Sequence, residues 1–537
     1  MNKKPEIINA FKDFVKKNKR LPNTREFLEY QISRTAIRHN FGSISQLKTY
    51  MKEEHPECFK GVISDSLFDP QKFKQINDLV KGSNRFVITT AVVNSPIHTK
   101  FFKTLKVYCK ANKSTLLIVP CANPGQGDDW ILDPALANEH IIGHDLSLNK
   151  NIHIRMIQLS AKQIDPTTGL SRLSQKDGAF IYASPKQRLQ FIPTGNEKLP
   201  HPIMTTGAVT SADYETDVYM SKRTSYLANF DHVLGALIVE LDPEGKYFYR
   251  QVQAEPNTGR FFDLGKYYSP NGKIEKLGAE ALIMGDYHAG EHELSAKQAW
   301  KEVCSEVGVR NLVGHDVFNG KWNNHHDMNK TVTKAQLSED KRMGLEEELS
   351  IVNTEVSELL TWIPGKFIFV KSNHDEVLDR YLQDGRYLTD PSNLRFASQL
   401  IAPMIDRKDP LAYALVNLPK LSNKKVAELK EFRRIIFLKR DESFKIAGVE
   451  LGSHGDKGAN GSKGGSLLTF EKAYGPCVIG HAHTPEVLRS VWRVGTTSKL
   501  KLDYNVGASS WFHTSCLLYS DGSRQMINSI NGKWRLK

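Results

Sequence analysis

The first sixty residues carry apolar side chains at helical spacing. In PEIINAFKDFVKKN, Ile8, Phe11 and Val15 recur every three to four positions, which predicts an amphipathic helix. LPNTREFLEY offers Asn23 or Thr24 as the cap of a short helix. SRTAIRHNFG has Ser33 as a cap and Gly42 as a stop, and SISQLKTYMKEE supplies a further helix. Short helices joined by tight turns predict a helical, helix-turn-helix-like module over 1–60. From 61 to 275 the rhythm is mixed. RFVITTAVV, HTKFFKTLKVYCKAN and STLLIVP read as strand, helix and strand with parallel-sheet character. HVLGALIVELD and KYFYRQVQAE read as further strands, PTTGLSRLSQKDG and FIPTGNEKLPHP as loops. This is a mixed α/β region to which the sequence assigns no role. It shows no internal repeat and no long low-complexity tract.

From 276 to 537 short apolar strands alternate with helices. ALIMGD, NLVGHDVFN, KFIFVKSNHD, VELGSHGD and CVIGHAH each begin as a strand, and the segment from Lys334 to Ile363 reads as one long amphipathic helix. The last forty residues read as strand-turn-strand, with Asp-Gly and Asn-Gly turns. Five of the strands end on potential metal ligands: Asp286 and His288; Asp316; Asn373 and His374; His454; His481 and His483. One Asp-x-His is an ordinary surface loop. Five such ends in succession are another matter, because ligands of α/β sheets gather where strands end. Side by side they would concentrate negative charge and imidazole nitrogen in one cleft, which is costly unless cations enter it. Carboxylate, amide oxygen and imidazole without thiolate suit Mn²⁺, Fe²⁺, Zn²⁺ or Co²⁺ better than a softer metal.

Composition adds charge to this picture. Lys and Arg number 73 against 60 Asp and Glu, a formal net charge of +13 over 537 residues. Residues 1–60 hold nine Lys and four Arg against seven acidic residues, so 13 − 7 = +6 of the surplus lies there. A basic surplus favours polyanionic partners. Cys58, Cys109, Cys121, Cys304, Cys477 and Cys516 are scattered without a Cys-x-x-Cys pair, which fits neither a zinc knuckle nor a disulfide framework and suits a reducing cytosol. The first residues have no apolar h-region, and no apolar run approaches the roughly 20 residues of a spanning helix. A cytoplasmic protein without a membrane partner is expected.

Other clusters have two readings each. Asp128 and Asp129 sit in GQGDDW, a Gly-rich turn expected as solvated loop, with a catalytic role as the other reading. NGKWNNHHDMNK brings Trp322, His325, His326 and Asp327 near the second ligand motif, either as a polar loop or as a wedge or extra ligand. GSHGDKGANGSKGGS holds six glycines with Lys457 and Lys463; its backbone can approach phosphate closely while the lysines supply charge, or it is a flexible surface loop.

Two resemblances sharpen these readings. The cadence PNTREFLEY…ISRTAIRHNFGSISQLK resembles the small helical repeats that accompany homing endonucleases and other DNA-processing enzymes. It implies that Arg34, Thr35, Arg38 and His39 lie on a groove-facing helix. The set GDYHAG, GHDVFNG, SNHDE, GSHGD and GHAHT resembles the ordered motifs of the calcineurin-like metallophosphoesterase superfamily, with GHDVFN closest to SbcCD-type nucleases. That resemblance covers 280 to about 515 and implies a four-layer α-β-β-α sandwich for 276–537. It implies two divalent ions, Mn²⁺ foremost, with Fe²⁺, Zn²⁺, Co²⁺ or Mg²⁺ as alternatives. Asp286, His288 and His483 would hold one ion, Asn373, His454 and His481 the other, and Asp316 both. His374 would meet the phosphate as a catalytic imidazole, with Asp375 beside it to orient the ring. Ser372 in place of the usual Gly, His315 before Asp316, and Asn319 where phosphatases have Asp depart from the pattern.

Two ions roughly 3.5–4 Å apart would neutralise a phosphodiester and activate water. With the basic helices, this makes a metal-dependent deoxyribonuclease acting on DNA the leading expectation. The size and layout also resemble the pre-early, host-DNA-degrading deoxyribonucleases of T-five-like coliphages, which would place the protein in an infected bacterial cytoplasm. The alternatives are a phosphatase or cyclic-nucleotide phosphodiesterase of the same superfamily, and a non-catalytic DNA-binding factor. A homo-oligomer, or a phage or host protein partner, stays open.

Overall fold

The structure is a computed structural model. It describes residues 3–18, 21–22, 26–60, 70–93, 95–122, 132–157, 159–174, 178–195, 198–212, 214, 222–323, 330–339, 344–418, 420–421, 424–425, 430–502 and 505–537. The chain is α/β with mixed sheets. Among the described residues no helix is long and apolar enough to cross a membrane.

The amino-terminal helices form as their caps require. Lys4–Asn18 buries Ile7, Phe11, Phe14 and Val15 along one stripe. In Arg34–Phe41 the Ser33 hydroxyl accepts the Ala36 N–H at 3.2 Å, and Ser43 does the same for Gln46 at 3.0 Å at the head of Ile44–Glu54. Such caps are worth about 1 kcal/mol each. Gly42 between them has φ 82°, a left-handed backbone angle that favours glycine at the turn. Phe11, Phe27, Ile37, Leu47 and Met51 close a core of their own. The short helix expected after residue 21 is a 3₁₀ turn, Glu26–Tyr30; its proposed caps Asn23 and Thr24 lie outside the described residues.

In the carboxy-terminal half the apolar runs pair into a six-stranded sheet. Ala279–Ile283, Val309–Gly314, Phe367–Phe369 and Ile435–Phe437 lie parallel in that order, and the hairpin Thr514–Leu518/Arg524–Asn528 adds antiparallel to Ala279–Ile283. Both faces are buried, which is why the runs are continuously apolar rather than alternating. Leu282, Leu312, Phe367 and Leu517 pack under the helices Leu294–Val303 and Leu345–Thr361, against Trp300, Leu349, Val352 and Val356. Ile283, Val313, Ile368 and Cys516 face the other way, onto Leu451, Val478, Val487 and Trp492 of a second sheet. The long helix expected over 334–363 is two helices, Thr331–Glu339 and Leu345–Thr361. Gly344, extended at φ −103° and ψ 133°, starts the second.

The second sheet has ten strands and reads the same from either end. At its centre Glu486–Leu488 pairs antiparallel with Arg188–Ile192. Outward on one side follow Val491–Arg493, Cys477–Ile479, Val449–Glu450 and Lys445–Ile446. Outward on the other follow His201–Thr205, Ala179–Tyr182, Ile152–Arg155 and Leu146–Asn149. The senses match step by step: antiparallel, parallel, parallel, antiparallel. The six-stranded sheet has a counterpart too. His140–Ile141, Thr115–Cys121, Arg85–Val92, Gly235–Leu241 and Tyr247–Gln253 form a five-stranded sheet with the parallel, parallel, antiparallel, antiparallel sense of the strands from Phe367–Phe369 to Arg524–Asn528.

Two sequence expectations change here. The chain does contain an internal repeat, 85–254 against 279–530, related by an approximate twofold axis through the central strand pair. Also, 61–275 does not stand apart from 276–537, because one sheet and one apolar core run through both. The repeat is hidden in the sequence because buried strands exchange Val, Ile and Leu freely and because the second copy carries an insertion. Between Phe367–Phe369 and Lys445–Ile446 it adds the helices Glu376–Gln383, Leu394–Ile405 and Pro410–Asn417, where the first copy passes directly from Ile141 to Leu146.

A candidate metal centre at the strand ends

Asp286 leaves the end of Ala279–Ile283 and is pinned through its main chain. Its N–H donates to the Gly495 carbonyl at 3.2 Å, and its carbonyl accepts the Thr497 N–H and the Thr496 hydroxyl, each at 2.8 Å. The side chain is fully buried, and its Oδ1 accepts the His481 N–H at 3.1 Å. Gly480 makes room for it: a Cβ there would lie 2.4 Å from Asp286 Oδ1. His288, Asp316, His481 and His483 all have positive φ, between 44° and 75°. For residues with a Cβ this costs about 1–3 kcal/mol each and persists only where surroundings enforce it. Here it turns successive side chains inward from different strand ends.

The inward side chains meet. His288 Nε2 is 3.1 Å from His483 Nε2 and 3.7 Å from Asp316 Oδ2. Asp286 Oδ2 is 3.1 Å from His483 Nε2, and Asp316 Oδ2 is 3.3 Å from His454 Nε2. Two buried triads result, His288–Asp316–His483 and Asp286–Asp316–His454, with the ligand atoms of each within 4.8 Å of one another. Asp316 is common to both. The His481 ring lies 5.2 Å from that of His454. The His374 ring lies 4.7 Å from that of His288, and beside it the buried Asn373 Oδ1 has no hydrogen-bond partner. The chain thus brings together six of the seven residues expected as ligands, Asp286, His288, Asp316, His454, His481 and His483, with His374 on their rim and Asn373 next to it in the chain.

The electrostatics are those of a site short of positive charge. Burial would raise Asp286, but the hydrogen bond from His483 outweighs it and holds the carboxyl at about 2. Burial opposes ionisation of Asp316 as well, and His454 and His374 draw it well below the usual range. Burial disfavours the charged His454 ring, yet Asp316 and Asp286 lift it to about 9. Burial and the neighbouring His374 push His288 down to about 3; burial and His454 push His315 to about 4. Two adjacent buried carboxylates therefore face one imidazole, that of His454, held in its charged form.

The donor set fits divalent cations. Among the described residues Asp316 Oδ1 and Asn373 Oδ1 are buried without a hydrogen-bond partner, and Asp286 Oδ2 and His454 Nε2 have only their close contacts to His483 and Asp316, an expensive arrangement unless another positive group completes it. His288 has the outer contact usual for a ligating imidazole: its Nδ1 meets Asn319 Oδ1 at 3.1 Å, leaving Nε2 to face the triad. Asn319, the departure from the phosphatase pattern, thus fills the supporting position itself. Its carbonyl also accepts His374 Nδ1–H at 2.7 Å, which fixes that ring with Nε2 free.

Several expectations are corrected by these contacts. Asp375 does not orient His374. Its carboxylate accepts the Ser372 N–H at 2.7 Å and the Ser372 hydroxyl at 2.9 Å, while burial and the Asp316 charge raise it to about 7. Lys457 is not a free charge for phosphate, because its ammonium lies 3.3 Å from Glu376. The Gly-rich loop folds on itself, Gly458 N–H donating to Ser462 at 2.7 Å, and Lys463 on it is exposed. Trp322 is a core residue, buried edge-on against Tyr381 at 4.7 Å, rather than a wedge. His325, His326 and Asp327, like Asp128 and Asp129, lie outside the described residues. On the amino-terminal module Thr35, Arg38 and His39 are exposed and Arg34 half-buried on Arg34–Phe41, opposite the buried Ile37.

Sequence reasoning gave no role to four neighbours. Trp511 sets its ring 4.0 Å from that of His483. His315 Nδ1 lies 3.4 Å from His454 Nδ1, and Thr496 and Thr497 anchor Asp286. The only sequence signal was VGTTS, a polar cluster at the end of an apolar strand.

Protein A1 of Escherichia phage T5 is similar to this chain, 30% identical over 515 residues that cover 91% of this chain and 87% of that protein. No family model and no solved structure matches.

Proposed function

The chain belongs to the family of Protein A1 of Escherichia phage T5, and from that membership and the buried cluster we propose that it is a phage-encoded, metal-dependent deoxyribonuclease of calcineurin-like metallophosphoesterase type, acting in the cytoplasm of the infected bacterium. The observation that carries the reading is the pair of buried triads sharing Asp316, whose Oδ1 has no hydrogen-bond partner among the described residues. The layering of the carboxy-terminal half supports the α-β-β-α sandwich. Helices cover the six-stranded sheet, that sheet faces five strands of the ten-stranded one, and Leu467–Tyr474 packs Leu467 and Phe470 beneath Cys477, Ile479 and Val491.

In this reading Asp286, His288 and His483 hold one divalent ion, Asn373, His454 and His481 the other, and Asp316 both. Mn²⁺ is the foremost candidate for this oxygen and nitrogen set. The ions supply charge neutralisation at the phosphate and a more acidic water. The protein's own groups do the rest. His374, tethered by Asn319 and free at Nε2, stands where it can hydrogen-bond a phosphate oxygen or pass a proton to the leaving oxygen. Asn319 and Gly480 keep His288 and Asp286 in register. The basic amino-terminal helices hold the duplex mainly through its phosphates.

Purified full-length protein with Mn²⁺, offered circular plasmid, linear DNA and para-nitrophenyl phosphate, tests the proposal. Plasmid loss that disappears with Asp316→Ala is the expected outcome. Strong ester hydrolysis with intact plasmid would turn the reading to a phosphatase. A protein that binds DNA but takes up no metal would turn it to a non-catalytic binding factor.

A further inference from the structure

The first copy, 85–254, can be matched to the second bond by bond. Thr90 N–H donates to the Gly207 carbonyl at 3.0 Å, as Asp286 does to Gly495 at 3.2 Å. The Thr90 carbonyl accepts from Val209 at 2.8 Å, as that of Asp286 accepts from Thr497 at 2.8 Å. His98 caps Thr99–Asn112 and donates to Val209; Glu293 caps Leu294–Val303 and donates to Thr497. Thr90 therefore stands in the place of Asp286, and Val92, two residues on, in that of His288. Val93 donates to Cys121 as Ala289 donates to Val317, each at 3.0 Å, which puts Pro120 in the place of Asp316. Val233 donates to Pro185 at 2.8 Å as Phe512 donates to His483 at 3.2 Å, so Pro185 replaces His483. None of these four residues offers a cation a carboxylate or an imidazole. Residues 85–254 are a silent copy of the site-bearing half.

The silent copy has charge of another kind, and the symmetry puts it beside the cleft. Between Cys477–Ile479 and Ala179–Tyr182 the ten-stranded sheet changes sense three times, so these two strands run in opposite directions. The end of the first, which leads to His481 and His483, is level with the start of the second. At that level a cavity of about 780 Å³ opens in the silent copy, lined by Lys150, His153, Arg155, Lys198, His201 and Lys246. Among the described residues Glu244 is the one carboxylate lining it. Arg155 pairs with Asp145 at 2.8 Å and Lys246 with Glu244 at 2.6 Å. Lys150 and Lys198 are exposed and have no ion pair among the described residues.

Cavity and cleft share a wall. Phe512 lines the cavity, packs on Phe191 at 4.9 Å and donates its N–H to His483. Trp511 before it lies against the His483 ring, and Ser509 bonds reciprocally with Thr194 at 2.9 and 3.1 Å, joining the Lys198 loop to the same wall. We propose that this basic trough of the silent copy is a track for the phosphodiester backbone of DNA, leading it over Phe512 and Trp511 to the ligand cluster of the other copy. The proposal rests on the deoxyribonuclease reading for its substrate class. Chemically the trough is an electrostatic groove, the arrangement that follows a nucleic-acid backbone without reading its sequence.

The test is binding without cleavage. Full-length protein and the double variant Lys150→Glu/Lys198→Glu are titrated onto fluorescent linear duplex in EDTA, where metal and hydrolysis play no part. A control, Lys103→Glu/Lys110→Glu, makes the same charge change on exposed positions of Thr99–Asn112. The trough variant should bind about tenfold or more weakly at moderate salt, and the slope of log K against log salt should fall by about two, one per lost phosphate contact. The control should bind like the wild type. Mn²⁺-dependent hydrolysis of para-nitrophenyl phosphate should be unchanged in both, which also shows that they fold. Equal binding by trough variant and wild type, an equal loss in the control, or a wild type that binds no duplex would overturn the track. The deoxyribonuclease reading fails separately, if wild-type protein with Mn²⁺ leaves plasmid intact.

Discussion

Replacing Asp316 by alanine removes the one carboxylate common to both triads. We expect Asp316→Ala to abolish DNA cleavage and to abolish the rise in melting temperature that Mn²⁺ gives the wild type. An ion that binds only the folded state at a hundred times its dissociation constant stabilises by about 2.7 kcal/mol, which differential scanning calorimetry resolves readily. His374→Ala should behave differently. It should keep the Mn²⁺-induced rise, because His374 belongs to neither triad, yet lose turnover by about 10²–10⁴-fold. A variant that lost both would place His374 among the ligands. These residues were legible in the sequence because their types and order are restrictive and because each follows an apolar strand. Asp375 was misread because adjacency in sequence does not give adjacency in space: the turn after Phe367–Phe369 directs its carboxylate back to Ser372. Trp511 carried no pattern, since a lone aromatic beside an apolar run is ordinary core composition, and His315 stood out only as a departure from the resembled motif.

The elements divide by how much of their logic is local. The amino-terminal helices were legible to within a residue or two because Ser33, Gly42 and Ser43 fix their ends by short-range hydrogen bonds. Their core is self-contained, so deleting 1–60 should leave the rest folded. The truncated protein should bind DNA more weakly, with a flatter salt dependence, while hydrolysing para-nitrophenyl phosphate at the full-length rate. DNA cleavage at moderate salt equal to that of the full chain would show that these helices serve something else. The helix expected over 334–363 was overextended because its apolar stripe continues across the Gly344 break, and periodicity does not sense a backbone angle. The Gly-rich loop was ambiguous for a related reason: composition gave it two lysines, but only the fold shows Glu376 engaging one of them.

At the scale of the whole molecule, the sequence showed a site-bearing half and an unassigned stretch. The structure joins them through long-range pairs. Arg250 is buried between Glu240 at 3.1 Å and Asp263 at 2.8 Å. Gln525 also donates to Asp263, at 2.9 Å, and the Leu536 N–H donates to Glu240, at 3.1 Å. No sequence motif announces such a cluster, whose members lie up to 296 residues apart. Arg250→Ala should cost about 3–5 kcal/mol in urea unfolding, since it strands two buried carboxylates. In the wild type, burial opposes ionisation of Glu240, but Arg250 outweighs it and holds the carboxyl below its ordinary 4.5. That contribution is complete above pH about 4.5 and is lost as pH falls through the lower folded value, so the urea midpoint should drop on acidification below that point.

The central pairing of Arg188 and Leu189 with Leu488 and Val487 has a consequence for how the protein can be taken apart. That seam closes the inner border of both copies, and a border left bare would present unsatisfied main-chain groups and adhere to other chains. Nicking the polypeptide at the exposed Asn271–Gly272 turn between the copies should therefore leave two fragments that elute together in gel filtration. Each made alone should precipitate, and the pair made side by side in one cell should reassemble. Peptide continuity would then be a convenience of synthesis, and the seam the true joint of the molecule.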